Sequence, residues 1–300
     1  MHYHKYRLIV PFLLPAIGLY ALFVLWPYAQ AIYLSFTGWR GTSANKPWVG
    51  LDNYDRLIND ERFVEALSRN AQLLIVLPLV TIAIALTFAA LFTQGRNAIA
   101  GASFYRIVFF FPQVVSAVII GILWTYVYNP RENIGLLNGF LGAVGLDGLQ
   151  QSWLSDQAVI LWSIVAVSIW AGVGFYMVIY LAAMQSIPSS FYEAAVLDGA
   201  GRWRSFWDIT FPLIWETIRT TLIYLGIAAL DFFVLIQVMT GGGSTATARR
   251  AEVAALYLYN EAFDKSRWGY ASAIGVVLLL LTLLLSVVLM RVTRRETYEF

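Results

Sequence analysis

The chain contains no cysteine, which excludes disulfides, thiolate metal sites and cysteine nucleophiles. Its two histidines, His2 and His4, stand at the extreme N-terminus and read as part of a mobile tail rather than a metal site. Charge is scarce as well. Only 13% of the 300 residues are Asp, Glu, Lys or Arg, and the net charge of +2 is too small to suggest a nucleic-acid binder. No Gly-Lys-Ser/Thr is present, so the glycines of Thr240-Gly241-Gly242-Gly243-Ser244 read as a flexible turn, not a phosphate loop. Catalytic carboxylates are not clustered anywhere, and nothing here hydrolyses ATP. What the chain has in excess is apolar surface: 59% hydrophobic residues and a mean hydropathy of +0.67. A soluble domain carries roughly 45–50%, so lipid is the solvent for much of this surface.

Crossing the hydrocarbon takes about 20 apolar residues in a helix. Six stretches reach that length, at about 8–36, 68–94, 106–129, 157–185, 215–238 and 268–292. Pro11, Pro15, Pro27, Pro78 and Pro112 fall within or at the ends of these runs and predict kinks packed against neighbouring helices. No strand pattern competes. The expected fold is all-α, a polytopic membrane protein of about six transmembrane helices forming one domain over residues 1–300. Lys5, Arg7 and Ala29-Gln30-Ala31 imitate a cleavable signal. The apolar stretch between them far exceeds the roughly 7–15 residues of a signal core, so it is expected to stay as an uncleaved anchor.

With the N-terminus inside, the twenty Lys and Arg divide ten to each side. The inner segments are shorter and hold their charge closer to the helix ends. Arg291, Arg294 and Arg295 follow the last span as a stop-transfer flank. The bias favours both termini in the cytoplasm. Outside would then lie about 37–66, with Trp39, Gly50-Leu51-Asp52-Asn53-Tyr54 and an amphipathic patch, Glu61 to Leu67, expected as a short interfacial helix. The Gly- and Asn-rich loop at about 130–156 would lie there too. Trp153 is expected to anchor it at the interface, and Ser155 or Asp156 to cap the following helix.

The connection at 188–212 is unlike a passive loop, which needs only a handful of residues. Pro188 ends the preceding helix. Ser190 and Glu193 have the spacing of a capping box, so a short helix should begin there, and Asp198-Gly199 with Gly201 should end it. Phe206, Ile209 and Leu213 then recur at i, i+3 and i+7, with Pro212 at the entry to the fifth span. The product is a helix–turn–helix elbow at the membrane surface with an apolar face and an acidic start.

Glu193-Ala194-Ala195, Asp198-Gly199-Ala200, Phe206, Ile209 and Pro212 resemble the EAA motif of ABC importer permeases at its usual spacing. Trp26 to Thr37, Gly50 to Tyr54, Thr240 to Gly243 and Gly269-Tyr270-Ala271-Ser272-Ala273 extend the likeness over essentially the whole chain. They point to the carbohydrate-uptake branch, with maltose-permease-F-like and glycerol-phosphate-permease-A-like subunits. The short 130–156 loop departs from relatives that carry a large extra periplasmic domain. The resemblance implies a type I importer transmembrane domain whose elbow is the cytoplasmic coupling helix docked in a cleft of an ATPase subunit. Glu193, Ala194, Ala195, Asp198, Gly199 and Ala200 would form that contact. It further implies a second, similar permease, two ATPase subunits holding the ATP and Mg, and an extracytoplasmic sugar-binding protein, with no cofactor on this chain.

A solute path needs small or polar helix faces at bilayer depth. In the fourth span Ser168, Ala171, Gly172 and Phe175 share one stripe, flanked by Trp170 and Tyr176. The fifth contributes Tyr224 and Asp231-Phe232-Phe233, and the third Ser116 and Trp124. Small residues serve close helix packing as readily as they make room for a sugar. Asp231, the lone acid inside a span, is a functional candidate or a packing residue. Alternative readings are an importer permease for another solute, such as a glycerol phosphodiester, a secondary transporter, or a structural membrane protein with no solute. A secondary transporter would show internal repeats and several ionisable groups along the spans, of which only Asp231 is present.

Overall fold

A computed structural model of the chain describes residues 3–93, 101–242 and 247–294. His2, Arg96, Gly243, Ser244 and Arg295 lie outside the described residues. Helix dominates, and among the described residues no strand forms beyond a single bridge between Thr37 and Trp48. Among the described residues, four helices are long and apolar enough to cross a bilayer unbroken: Pro11–Ser35, Glu61–Phe92, Ile160–Gln185 and Trp268–Val292. The third span is split into Ala102–Val114 and Ala117–Val127, bent by 102°. The fifth is also interrupted, between Trp215–Leu230 and Val234–Thr240. With broken spans counted as single crossings, the described residues hold up to six, consistent with the six expected from composition.

The chain divides into two compact units, one from the residues up to Val64 with Tyr257–Leu281, the other from Glu65–Leu256 with the residues after Leu281. In the first, helix already begins at Tyr3, so His4 belongs to a helix and not to a tail; no proline or glycine interrupts the run before Pro11. None of the apolar window in Pro11–Ser35 is buried within the chain. Pro27 lacks an N–H, and just before it the ladder widens into a π turn at Ala21–Leu25, with the Trp26 N–H reaching the Ala21 carbonyl. The Gly50 to Tyr54 string explains itself here. The Asn53 amide donates to the carbonyls of Ser35 and Thr37 at 2.8 and 2.9 Å, and the Tyr54 hydroxyl meets Ser35 Oγ at 2.7 Å. At Gly269 a Cβ would lie 1.8 Å from the Thr37 carbonyl oxygen, so the sixth span approaches that turn only through glycine.

Asp60 organises the rest of this unit. Its Oδ1 accepts the N–H groups of Arg62 and Phe63 at 3.1 and 3.3 Å, and its Oδ2 accepts the hydroxyls of Tyr257 and Tyr270 at 2.6 and 2.7 Å. Burial alone would push its pKa up, but the two phenols and two amides outweigh that and hold the carboxyl below its usual range. The first pair of bonds is an N-cap. It starts a helix that continues without a break to Phe92, so Glu61 to Leu67 form the opening turns of the second span and not the separate interfacial helix the pattern predicts.

In the second unit, Asn70 is fully buried in the second span. Its amide donates to the carbonyls of Ala229 and Leu230 at 2.7 and 3.3 Å, and its Oδ1 accepts the Ala254 N–H at 2.9 Å. It thereby satisfies carbonyls orphaned where the fifth span stops. Pro78 leaves its helix unbroken, whereas Pro112 stands shortly before the break in the third span, where Val115 turns extended. The 130–156 loop folds around buried Asn138, which donates to Pro130 and Gln151 carbonyls and accepts the Trp153 indole N–H at 2.8 Å. Trp153 also stacks on Tyr128 at 5.9 Å, so it is an internal strut and not an interfacial anchor. The fourth span starts at Ile160 without a side-chain cap; Asp156 instead accepts the Ala158 N–H at 2.7 Å, one turn earlier. The expected turn after Thr240 is real, with Gly241 and Gly242 at φ of 67° and 89°.

Candidate functional site

The fourth span ends at Gln185, and Pro188, locked at φ −58° with ψ 138°, turns the chain out of it. The first arm of the elbow is Ser189–Leu197. It begins two residues earlier than its capping-box spacing suggests, with Pro188 instead of Ser190 at the N-cap position and no side-chain capping bond. The Ser190–Glu193 capping box therefore does not form, because Ser190 already lies inside the helix. Glu193 is exposed. The other end obeys its chemistry: Gly199 adopts φ 77°, its N–H bonds the Val196 carbonyl at 3.0 Å, and the Ala200 N–H bonds the Ala195 carbonyl at 2.8 Å. That pair is a Schellman motif.

The second arm runs through Arg202–Ser205, a π turn at Phe206–Thr210, and Phe211–Leu213, then bends by 68° at Ile214 into Trp215–Leu230. Arg202, Arg204 and Asp208 make it a surface helix; the apolar continuation of the fifth span is Val234–Thr240. The two arms are tied by the Tyr192 hydroxyl and Thr210 Oγ1 at 2.9 Å. Tyr192, Phe206, Phe211 and Leu213 rest on a buried cluster that holds Phe92, Met177, Tyr180, Met184, Ile187, Ile214 and Ile218. The elbow is thus seated on the second, fourth and fifth spans together. Side-chain donors close nearby helix ends. Arg106 donates to the Phe92 carbonyl, Arg219 to Met290 at 2.9 Å, and the Trp215 indole to Thr293 at 2.9 Å. Outward, the elbow presents Val196, Leu197 and Trp203 at 69%, 89% and 76% exposure, with Glu193 and Asp198 exposed beside them. Ala195 is buried beneath. A clamped base with an apolar, acid-flanked outer face is suited to receive and transmit force from a partner.

The same unit encloses a half-open cavity of about 330 Å³. Thr81 reaches it from the second span, Pro112, Gln113, Val115 and Ala117 from the third, and Ser168, Ala171, Gly172 and Tyr176 from the fourth; Leu225, Ala228 and Phe232 come from the fifth. Both span breaks, at 115–116 and 231–233, open onto this space. Non-helical backbone at bilayer depth persists where it is buried or lines a cavity, and here it does the latter. Among the described residues, none of the lining side chains carries a formal charge. Tyr176 packs against both the core around this cavity and the core under the elbow.

Ser168, Ala171, Gly172 and Phe232 are therefore brought together as the sequence suggests. Ser116 sits in the break between two lining residues. Trp124 instead packs on Tyr128 and Trp170 at 5.0 and 5.3 Å, and Phe175 turns its edge to Tyr176 at 5.3 Å. Tyr224 and Asp231 lie on an exposed stripe of the fifth span with Thr220 and Ala228. Thr81 and Gln113 escape sequence reading, since neither stands out in spacing from other polar residues of its run.

The family described as "binding-protein-dependent transport system inner membrane component" matches residues 60–297. The diacetylchitobiose uptake system permease protein NgcF of Streptomyces coelicolor is 42% identical, covering 93% of this chain and 80% of its own. The sn-glycerol-3-phosphate transport system permease protein UgpA of Agrobacterium fabrum is 30% identical, covering 97% and 96%. Among solved structures, a bacterial ABC transporter involved in import of the acidic polysaccharide alginate superposes with a TM-score of 0.84, at 25% identity and 98% coverage of both chains.

Proposed function

Because the chain belongs to the family of binding-protein-dependent transport system inner membrane components, we propose that it is one of two permease subunits of an ATP-driven sugar importer. An extracytoplasmic binding protein delivers the sugar, and two ATPase subunits, which hold the ATP and Mg, drive its passage. The observation that carries this reading is the shared scaffold. Tyr176 of the fourth span both lines the cavity and packs on the core that seats Tyr192 and Phe206 of the elbow, so displacement of one is felt at the other. ATP binding closes the ATPases, draws the two elbows together and turns the cavity from inward-facing to outward-facing; hydrolysis resets it.

The elbow faces the cytoplasm in this account, which puts Arg106, Arg202, Arg204, Arg219, Arg291 and Arg294 on the cytoplasmic side with it. Tyr224 and Asp231 on their exposed stripe supply the case for the second permease. A carboxylate facing hydrocarbon is costly, and a partner subunit that closes the path over this stripe removes the cost. Asp231 then lines the shared path instead of the cavity within this chain.

An uncharged lining of hydroxyls, an amide and aromatic faces suits a neutral sugar, which offers hydroxyl groups and apolar C–H faces. An isolated phosphate buried there would lack a counter-charge. The 42% identity to a diacetylchitobiose permease makes that disaccharide the first probe. The test is uptake by the assembled transporter in proteoliposomes, with tritiated diacetylchitobiose, maltose and glycerol 3-phosphate. ATP-dependent uptake of a neutral disaccharide with none of glycerol 3-phosphate is the expected outcome. Uptake by the isolated chain along an ion gradient would identify a secondary transporter instead.

A further inference from the structure

The second span and the residue that follows it carry three threonines of unlike behaviour. Thr87 and Thr93 bond back to the carbonyls of Ala83 and Ala89 at 2.8 and 2.7 Å, the usual way for a hydroxyl to be satisfied inside a helix. Thr81 does not. This residue is 1% exposed, and its Oγ1 has no hydrogen-bond partner among the described residues. It lines the cavity together with Ser168, Gly172 and Tyr176 of the fourth span and Phe232 of the broken fifth. A buried hydroxyl left without a partner weakens a fold, and the few such groups in proteins concentrate where something else completes them. Thr81 is also one of the residues that line the cavity, and a ligand there is what would complete it.

We propose that the Thr81 hydroxyl is a substrate contact, a donor or acceptor held in reserve for a hydroxyl of the sugar as it passes the cavity. The proposal rests on the importer reading above and adds to it a recognition element from the second span. A hydroxyl can donate to one sugar oxygen and accept from another. Unlike that of Thr87, the hydroxyl makes no bond back to the carbonyl four residues earlier, which leaves both its donor and its acceptor to a ligand. A site whose buried polar group expects a substrate hydroxyl discriminates strongly against analogues that lack it. Thr81 therefore contributes selectivity for hydroxyl-rich solutes, while Phe232 and Tyr176 offer faces to their apolar sides.

The experiment uses the whole transporter, with its ATPases and binding protein, in proteoliposomes supplied with tritiated diacetylchitobiose. The binding protein's own affinity governs apparent KM, so the informative quantities are maximal uptake and sugar moved per ATP hydrolysed. Thr81→Val keeps the shape and removes the hydroxyl. It is expected to lower maximal uptake about tenfold, the size of one lost hydrogen bond to a committed partner, while ATP hydrolysis stimulated by loaded binding protein stays near wild type. Thr81→Ser, which restores the hydroxyl, is expected to recover uptake. Since the chain has no cysteine, Thr81→Cys is its only thiol. A small water-soluble methanethiosulfonate should label it, and diacetylchitobiose with loaded binding protein should slow that labelling. Wild-type uptake by Thr81→Val, failure of Thr81→Ser to recover it, or a Thr81→Cys thiol that never reacts would each overturn the proposal alone. A wild-type transporter that moves no neutral sugar at all contradicts the importer reading, and the proposal falls with it.

Discussion

Leu197→Asp is expected to abolish ATP-driven uptake while the chain still inserts and assembles with its companion permease. Leu197 is 89% exposed at the end of a short helix whose base is clamped. An apolar side chain so presented beside Val196 contributes nothing to folding, and its replacement by a solvated carboxylate should leave the fold intact. At an interface the same residue is a central anchor. Truncating such anchors typically costs about 2–4 kcal/mol, and burying an unpaired charge there costs more. A loss of about 30-fold or greater in ATPase retention through purification follows, with uptake falling to background. Glu193→Lys, which inverts the acid flank, should act in the same direction. Both outcomes are read by co-purification of the ATPase and by uptake in proteoliposomes. If the elbow were merely a solvated surface, both variants would transport normally.

Gly174→Leu should fail to fold. A Cβ at Gly174 would lie 1.8 Å from the carbonyl oxygen of Phe109, 2.3 Å from its carbonyl carbon and 2.8 Å from the Phe110 nitrogen. These are backbone atoms of the third span, and no rotamer change removes them. Overpacking against side chains costs about 1–3 kcal/mol; against backbone the helices must separate, which also pulls the third span away from the fourth at the edge of the cavity. Even Gly174→Ala should lower the unfolding temperature in detergent by several degrees. Gly172→Ala is the control. Its Cβ would meet nothing nearer than the Tyr176 ring at 3.7 Å, so stability should hold and any effect should fall on transport. An unfolding temperature unchanged in Gly174→Ala and Gly174→Leu would contradict this packing.

That contrast shows what the sequence can carry. Hydrocarbon thickness imposes run length and composition, so the number of crossings, about six, is legible, but their ends and breaks are not. The elbow is legible too, because Pro188 and Gly199 act through local backbone chemistry. Gly172 and Gly174 look alike in sequence, two residues apart, and only the third span's position distinguishes the open one from the one in backbone contact. The break at 231–233 contains neither glycine nor proline; Asn70, which no sequence pattern singles out, takes up the Ala229 and Leu230 carbonyls there. Asn138 and Trp153 find each other across a loop, a pairing that spacing does not encode. The Ser190–Glu193 capping box misleads because proline ends one helix and begins the next two residues early. Thr81 is silent in sequence since its distinction from Thr87 is a hydrogen bond it does not make.

The most direct test exploits the missing thiols. Leu197→Cys in this cysteine-free chain, treated with a short bifunctional thiol reagent in inside-out membranes holding the complete transporter, reports what touches the elbow. A covalent adduct with the ATPase subunit whose yield changes with ATP is the result predicted here. An elbow thiol that never joins the ATPase, yet is modified by a membrane-impermeant reagent added outside intact cells, would contradict it.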